Sequence, residues 1–314
     1  MKCRKCKAQA AVALPSHNTA FCPDCYLLFF RSQVERTLHK QRMAKAGSPI
    51  LVALSGGKDS LALALQLHEL GYAVHGLHVD LAIPDYSALA KQFCEKFCST
   101  INVPLTIIEL REEGLAIPLI KSRIKRPICS VCGKLKRYFF NKFAVENNFP
   151  VLATGHNLDD EVSRLFANTI RWDASYLSDQ GPVLPAEAGF ARKIKPLYRL
   201  SEFEIANFCF LKNLEHVTAA CPYSPKASFP VYKSLWNKLE ERMPGAKIQF
   251  YENFLRDGRP VFAAWAEQQT DLEPCPGCGY PTSSGLCGVC RIRKMVGAGV
   301  NGPGVSDLDS KQAG

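Results

Sequence analysis

The sequence predicts an α/β protein built on a doubly wound parallel sheet, with a small cysteine-rich unit at each end. Three observations lead there. Short apolar runs alternate with helical patterns between residues 47 and 222. The first of those runs ends in a Ser-Gly-Gly-Lys-Asp-Ser turn. Ten of the fourteen cysteines fall in five C-x-x-C pairs. At 314 residues there is room for one large domain and small satellites.

Taken in order, residues 1–46 read as a cysteine knuckle followed, over 26–46, by a basic amphipathic helix with Leu27, Phe30, Val34 and Leu38 on one side. Residues 47–222 carry five strand candidates, at 50–54, 73–79, 105–110, 151–154 and 216–219. Helical patterns lie between them at 59–70, 86–101, 130–147, 158–171 and 201–213. Strand–helix alternation implies parallel strands joined by crossover helices. Residues 223–265 read as an aromatic-rich helical extension, 266–293 as a second cysteine cluster, and 294–314 as a disordered tail. No repeat of 20–50 residues is present.

The longest apolar runs fall short of the roughly 18 residues that a membrane span needs. Met1-Lys2-Cys3-Arg4 opens directly into a cysteine motif, with no apolar leader core, so a cytoplasmic protein is expected. In a reducing compartment fourteen cysteines point to metal ligation or sulfur chemistry rather than disulfides. The formal charge of +10 suggests a polyanionic partner. Two four-thiolate zinc sites would lower it to about +6.

Ser55-Gly56-Gly57-Lys58-Asp59-Ser60 closes a buried strand and opens a helix. Glycines let backbone N–H groups approach an anion, and the helix N-terminus adds partial positive charge. Lys58, Ser55 and Ser60 supply further donors, and Asp59 is also a catalytic candidate. The spacing is not that of a Walker A loop. Gly155-His156-Asn157-Leu158-Asp159-Asp160 follows the fourth strand candidate. Asp159 and Asp160 either hold Mg²⁺ beside phosphates or act as helix-capping carboxylates. His78 and Asp80 end the second strand, at the sheet edge where open α/β folds bind ligands.

The six-residue loop resembles the pyrophosphate loop of the N-type ATP pyrophosphatases, the adenine nucleotide alpha-hydrolase-like fold, over residues 50–222. That resemblance implies ATP cleavage to AMP and pyrophosphate with adenylation of a substrate. It also implies an adenosine subsite bordered by His78 and Asp80, with Gly155 and His156 near the nucleotide.

Cys129 and Cys132 share one helical face, with no second C-x-x-C nearby to complete a four-cysteine zinc site. Cys221 in Ala219-Ala220-Cys221-Pro222 lies past the fifth strand candidate, at the same sheet edge. Two chemistries suit this set. The three thiolates ligate three irons of a 4Fe–4S cluster, or one carries a persulfide that another resolves. Cys94, Cys98 and Cys209 lack such motifs and read as small apolar core residues.

Cys3-x2-Cys6-x15-Cys22-x2-Cys25 and Cys275-x2-Cys278-x8-Cys287-x2-Cys290 have structural-zinc spacing, and four thiolates leave no open coordination position. Lys121, Arg123, Lys125, Arg126, Lys134, Lys136 and Arg137 bracket the central pair, with Arg291, Arg293 and Lys294 after the last cluster. These basic residues suit RNA phosphates.

Pyrophosphate loop, central C-x-x-C, later Ala-Cys-Pro and paired terminal clusters together resemble the tRNA 2-thiouridine synthetases that act at uridine 54 or uridine 34. The resemblance spans nearly the whole chain. It implies a tRNA sulfurtransferase that adenylates O2 of a uridine and replaces it with sulfur. Cys129, Cys132 and Cys221 would hold a 4Fe–4S cluster, and a ubiquitin-like protein thiocarboxylate is one sulfur donor in that group. A homodimer is left open. Competing readings are a tRNA 2-thiocytidine synthetase, a lysidine-type tRNA ligase that shares the loop, and a non-enzymatic zinc-ribbon RNA-binding protein.

Overall fold

The computed structural model describes residues 1–224, 229–266, 272–283 and 285–297. At the amino end, β1 (Val12–Leu14) and β2 (Thr19–Phe21) form an antiparallel hairpin that leads into α1 (Pro23–Lys40). Pro23 starts the helix with a preset φ and needs no N–H partner. Tyr26, Phe30, Val34 and Leu38 recur every fourth residue and are buried along one face. The helix stops six residues before the expected end at 46, because Arg42 adopts a left-handed φ of 46° and turns Met43 into the core.

The central domain then runs β3 (Pro49–Leu54), α2 (Lys58–Glu69), β4 (Ala73–Asp80), α3 (Tyr86–Thr100) and β5 (Leu105–Glu109). It continues through α4 (Ile117–Arg123), α5 (Ile128–Glu146), β6 (Leu152–Thr154), α6 (Leu158–Arg171) and α7 (Ala174–Ser178). β7 (Val183–Leu184), β8 (Lys193–Ile194) and α8 (Glu202–Leu211) complete it. The six strands stand in the order β5-β4-β3-β6-β8-β7, all parallel except β7. Chain order reverses between β3 and β6, the switch point where doubly wound sheets open a crevice at the strands' carboxyl ends.

One strand is corrected. Residues 216–219 do not enter the sheet; the Val217 N–H donates to the Gly56 carbonyl at 2.9 Å. The sheet is completed by β8 and β7, two residues each, too short to show a two-residue period in sequence.

Both faces of the sheet are covered. Ile50, Val52 and Leu54 of β3 enter the main core with α1, α2, α3 and α8, whereas Leu51 enters a second core with Leu77, Leu152 and Ala144 of α5. Alternate residues of a strand point to opposite faces, and in a parallel sheet both are buried. After the domain come α9 (Phe229–Arg242), α10 (Ala246–Asn253), a π-helical turn over Phe254–Gly258 and α11 (Arg259–Ala266), with α9 and α10 packed on α6 and α11 on α7. The last unit is the pair β9 (Glu273–Pro274) and β10 (Pro281–Thr282), then α12 (Gly288–Val296). Residues 294–296, expected in the tail, are helical; the rest of that expectation, from 298 on, lies outside the described residues. Val289, Ile292 and Val296 of α12 share a third core with Val131 and Leu135 of α5, which seats the carboxy-terminal unit against the central cysteine helix. No helix among the described residues is long and apolar enough to cross a membrane.

Candidate functional site

The loop at 55–60 and the loop at 155–160 leave the adjacent strands β3 and β6, so the switch point brings them face to face. Gly56 has a φ of 77°, and a Cβ there would stand 2.8 Å from the Ala90 carbonyl oxygen. A Cβ on Gly155 would stand 2.8 Å from the backbone of Asp59 and Ser60. Both glycines are therefore required by close backbone approach. Ser60 Oγ accepts from the Ser55 N–H at 3.1 Å and donates to the Gly57 carbonyl at 2.9 Å, which locks the turn. Gly57 caps α2 without any side-chain acceptor, so the first-turn N–H groups remain directed out of the helix end. That is the geometry of an anion cradle. Lys58 Nζ stands beside it, 3.0 Å from Asp59 Oδ2.

Asp59 Oδ1 accepts from Asn157 Nδ2 at 3.2 Å, which ties the two loops together. Burial raises the Asp59 carboxyl above the usual range, against the pull of Lys58. Three consecutive acids open α6, and each meets a lysine from a different part of the chain. Asp159 is buried against Lys247 of α10 at 2.5 Å and accepts the Glu202 N–H at 2.8 Å. Asp160 pairs with Lys233 of α9 at 2.6 Å and, with Asn157, closes a capping box at the start of α6. Glu161 pairs with Lys195 at 2.8 Å and accepts from the Tyr251 hydroxyl at 2.6 Å. Burial opposes charge on Asp160, but Lys233 and His156 outweigh it and hold the carboxyl below its ordinary value. Of the two aspartates expected to hold Mg²⁺, Asp159 is thus engaged inside the protein, while Asp160 keeps about a fifth of its side chain exposed.

His156 is half-buried, with Nδ1 2.8 Å from Thr154 Oγ1. Burial, reinforced by Lys195, pushes its pKa down to about 4, so the ring is neutral at pH 7. His78 Nδ1 donates to the Leu54 carbonyl at 3.0 Å, which leaves Nε2 as a buried acceptor with no protein partner. Asp80 Oδ1 accepts the Ala82 N–H at 2.7 Å, turning the chain at the end of β4.

Cys129 and Cys132 lie on the first turns of α5, and Cys132 and Cys221 pack in the same core as Tyr223. Cys129 is exposed, with Sγ 3.5 Å from the Tyr223 carbonyl, so the segment after Cys221 meets the pair at its edge. Burial pushes the Cys132 thiol up to about 11, with Lys136 acting in the opposite direction. Cys94, Cys98 and Cys209 are buried core residues, as their helical settings predict.

Each terminal quartet brings its four sulfurs within 4.8 Å of one another, close enough for one metal ion. Cys6 and Cys22 approach to 3.5 Å, Cys278 and Cys287 to 3.6 Å. The Cys6 backbone N–H draws the Cys3 thiol down to about 6, while burial and the neighbouring thiols push Cys25 up to about 12. Among the described residues only these two quartets are so tight; the three central cysteines do not form a group of that closeness.

Residues 30–226 match the PP-loop domain family, and residues 2–27 match the amino-terminal LIM domain of the 2-thiouridine synthetase TtuA. A tRNA-5-methyluridine(54) 2-sulfurtransferase of Thermus thermophilus is 40% identical over 94% of this chain and 92% of its own. The chain belongs to the PP-loop tRNA 2-sulfurtransferases. A second member, the tRNA-5-methyluridine(54) 2-sulfurtransferase of Pyrococcus horikoshii, is 37% identical over 93% of each chain. Among solved structures, the U34-tRNA thiolase NcsA of Methanococcus maripaludis with its [4Fe-4S] cluster superposes with a TM-score of 0.78. It is 27% identical and covers 94% of this chain and 96% of its own.

The structure adds residues that the sequence alone did not single out for this site. Asn157 joins the two loops, and Lys233 and Lys247 arrive from the helical extension. Lys136 was visible only as one of seven cations near the cysteine pair. It stands one helical turn after Cys132, half-buried, with the thiols of Cys132, Cys221 and Cys94 as its titratable neighbours and burial lowering its pKa. Its i, i+4 spacing from Cys132 was the available signal.

Proposed function

We propose that this protein is an ATP-dependent tRNA sulfurtransferase that converts uridine 54 of tRNA to its 2-thio form. The observation that carries this reading is that Cys129 and Cys132 meet the segment holding Cys221 and Tyr223, a segment whose start is tied to the phosphate loop by the Val217 N–H on the Gly56 carbonyl at 2.9 Å. The names of its relatives supply the RNA substrate and the position.

In this reading the N–H groups at the start of α2, with Lys58, Ser55 and Ser60, bind the ATP phosphates. Asp59 and Asp160 hold Mg²⁺ against them, two carboxylates completed by phosphate oxygens and water. Uridine O2 attacks the α-phosphorus and pyrophosphate leaves. Sulfur then attacks C2, and AMP departs with the original oxygen. A 4Fe–4S cluster on the three thiolates would supply an iron with an open position for incoming sulfur. The donor set fits it: three cysteines with a cation, Lys136, and no carboxylate among the titratable neighbours of Cys132. Lys136 places positive charge where sulfur anions gather, and neutral His156 adds none beside the phosphates. The segment carrying Cys221 and Tyr223 borders the pair, leaving Cys129 exposed to an incoming substrate and Cys132 half-buried. Two Zn²⁺ ions fill the terminal quartets as structural metals. The sulfur source is a carrier protein thiocarboxylate or another sulfide donor, and fourteen cysteines, none in a disulfide, suit a reducing cytoplasm.

The test uses anaerobically purified protein, transcribed tRNA, ATP and sulfide, with thionucleosides mapped by mass spectrometry. Thiolation at uridine 54 is expected, together with loss of iron, sulfide and thiolation in Cys129→Ala. Full thiolation by Cys129→Ala would sink the mechanism, and thiolation elsewhere would correct the position.

A further inference from the structure

A cavity of about 120 Å³ lies between α5 and α12, outside the nucleotide crevice. Buried Val131 and Ile292 form its floor, and exposed Met295, Arg126, Lys134 and Arg291 stand around its rim. No carboxylate lines it. The three rim cations are exposed, and no ion pair engages them among the described residues, unlike neighbouring Arg293, which pairs with Glu113. Lys134 lies along Gly288: a Cβ there would stand 2.6 Å from Cδ and 2.8 Å from Nζ. Glycine at that position lets the lysine stem cross the seam between the two helices. The carboxy-terminal unit thus completes a cationic rim around an apolar floor, on the helix turns that carry Cys129 and Cys132.

We propose that this cavity seats one nucleotide of the substrate RNA next to the target, its phosphate on Arg126, Lys134 and Arg291 and its base against Val131, Ile292 and Met295. The proposal rests on the RNA reading given above. An unstacked RNA strand presents an anion beside an apolar ring face at every nucleotide, which matches a cationic rim over an apolar floor. A thiocarboxylate-tailed carrier protein would bring one terminal anion, for which three converging cations are in excess. The carboxy-terminal unit is then part of the substrate site and not only a structural cap.

The experiment measures binding of unmodified transcribed tRNA by the full-length, zinc-loaded protein across a salt series. Each lost single-strand phosphate contact should lower the slope of log affinity against log salt by about 0.7. Arg126→Ala with Arg291→Ala should lower it by about 0.7–1.4 and weaken binding roughly tenfold at 0.1 M salt. Arg126→Lys with Arg291→Lys should restore the slope. The double change Lys5→Ala with Lys7→Ala removes equal charge from the amino-terminal knuckle and controls for net charge alone. An unchanged slope in the arginine pair overturns the proposal, as does an equal fall in the knuckle control. Unchanged tRNA binding with slower transfer from a carrier protein reassigns the cavity to the sulfur donor. If the parent protein binds no tRNA at any salt, the RNA reading itself fails, an outcome distinct from all of these.

Discussion

Replacing Lys247 by Met strands the charge of Asp159 inside the protein. The two residues keep 5% and 2% of their surface exposed, with Nζ 2.5 Å from Oδ1. Nζ is also 2.5 Å from Asn237 Oδ1, so the lysine joins α9, α10 and α6 at one point. Without it, Asp159 keeps, among the described residues, only the Glu202 N–H at 2.8 Å. Methionine restores most of the volume but none of the charge, and an uncompensated buried carboxylate costs about 3–5 kcal/mol. Lys233→Met, which faces the part-exposed Asp160 and Glu202, should cost only about 1 kcal/mol. At about 2–4 °C per kcal/mol for a domain of this size, Lys247→Met should melt roughly 6–20 °C lower. Differential scanning calorimetry and urea titration would measure both variants. Adding Asp159→Asn to Lys247→Met should recover most of the loss, since no isolated charge remains. A melting point within about 3 °C of the parent, or a double variant no better than the single, would refute the argument.

Gly155→Ala should push the start of α2 away from β6, because its Cβ meets backbone rather than a flexible side chain; about 1–3 kcal/mol of stability and at least tenfold in ATP affinity are expected, measured by calorimetry. His156 has its folded pKa depressed to about 4 from 6.5, so its stabilising contribution is complete above pH 6.5 and is lost as pH falls toward 4. His156→Gln should flatten the stability curve over that window, and an unchanged acid limb would contradict the burial of a neutral ring. Cys287→Ser should lower zinc from about two to about one per chain by elemental analysis. It should also free α12 from α5, read as faster amide exchange across 288–296. Retention of two zincs would show that the quartet is not the site.

Much of the site was legible because its signals are local. Six consecutive residues, Ser55 to Ser60, encode strand end, turn and helix start, and no distant segment is needed to make the cradle. The terminal quartets were equally readable, since a pair of C-x-x-C turns brings four ligands together whatever the rest of the fold does. Helices α2, α3, α5, α6 and α8 were visible from periodicity, to within two residues at each end, whereas the short helices α4 and α7 were not expected, being too brief to show an amphipathic period. Two-residue strands carry no period, so β7 and β8 were invisible, and the apolar stretch at 216–219 stood in for them.

Sequence by itself determined the α/β winding, the phosphate loop, the two metal-ready quartets and the three central cysteines, because each is written within a few adjacent positions. Only the tertiary structure decided how the acids of α6 are used. Asp159, Asp160 and Glu161 look alike in sequence, yet Lys247, Lys233 and Lys195 reach them from segments 88, 73 and 34 residues away. Those lysines bury one aspartate and leave the other at the crevice, a distinction made by packing across long sequence separations that local pattern does not record. The same holds for the carboxy-terminal unit, whose place against the cysteine helix follows from a shared apolar core rather than from its own motif.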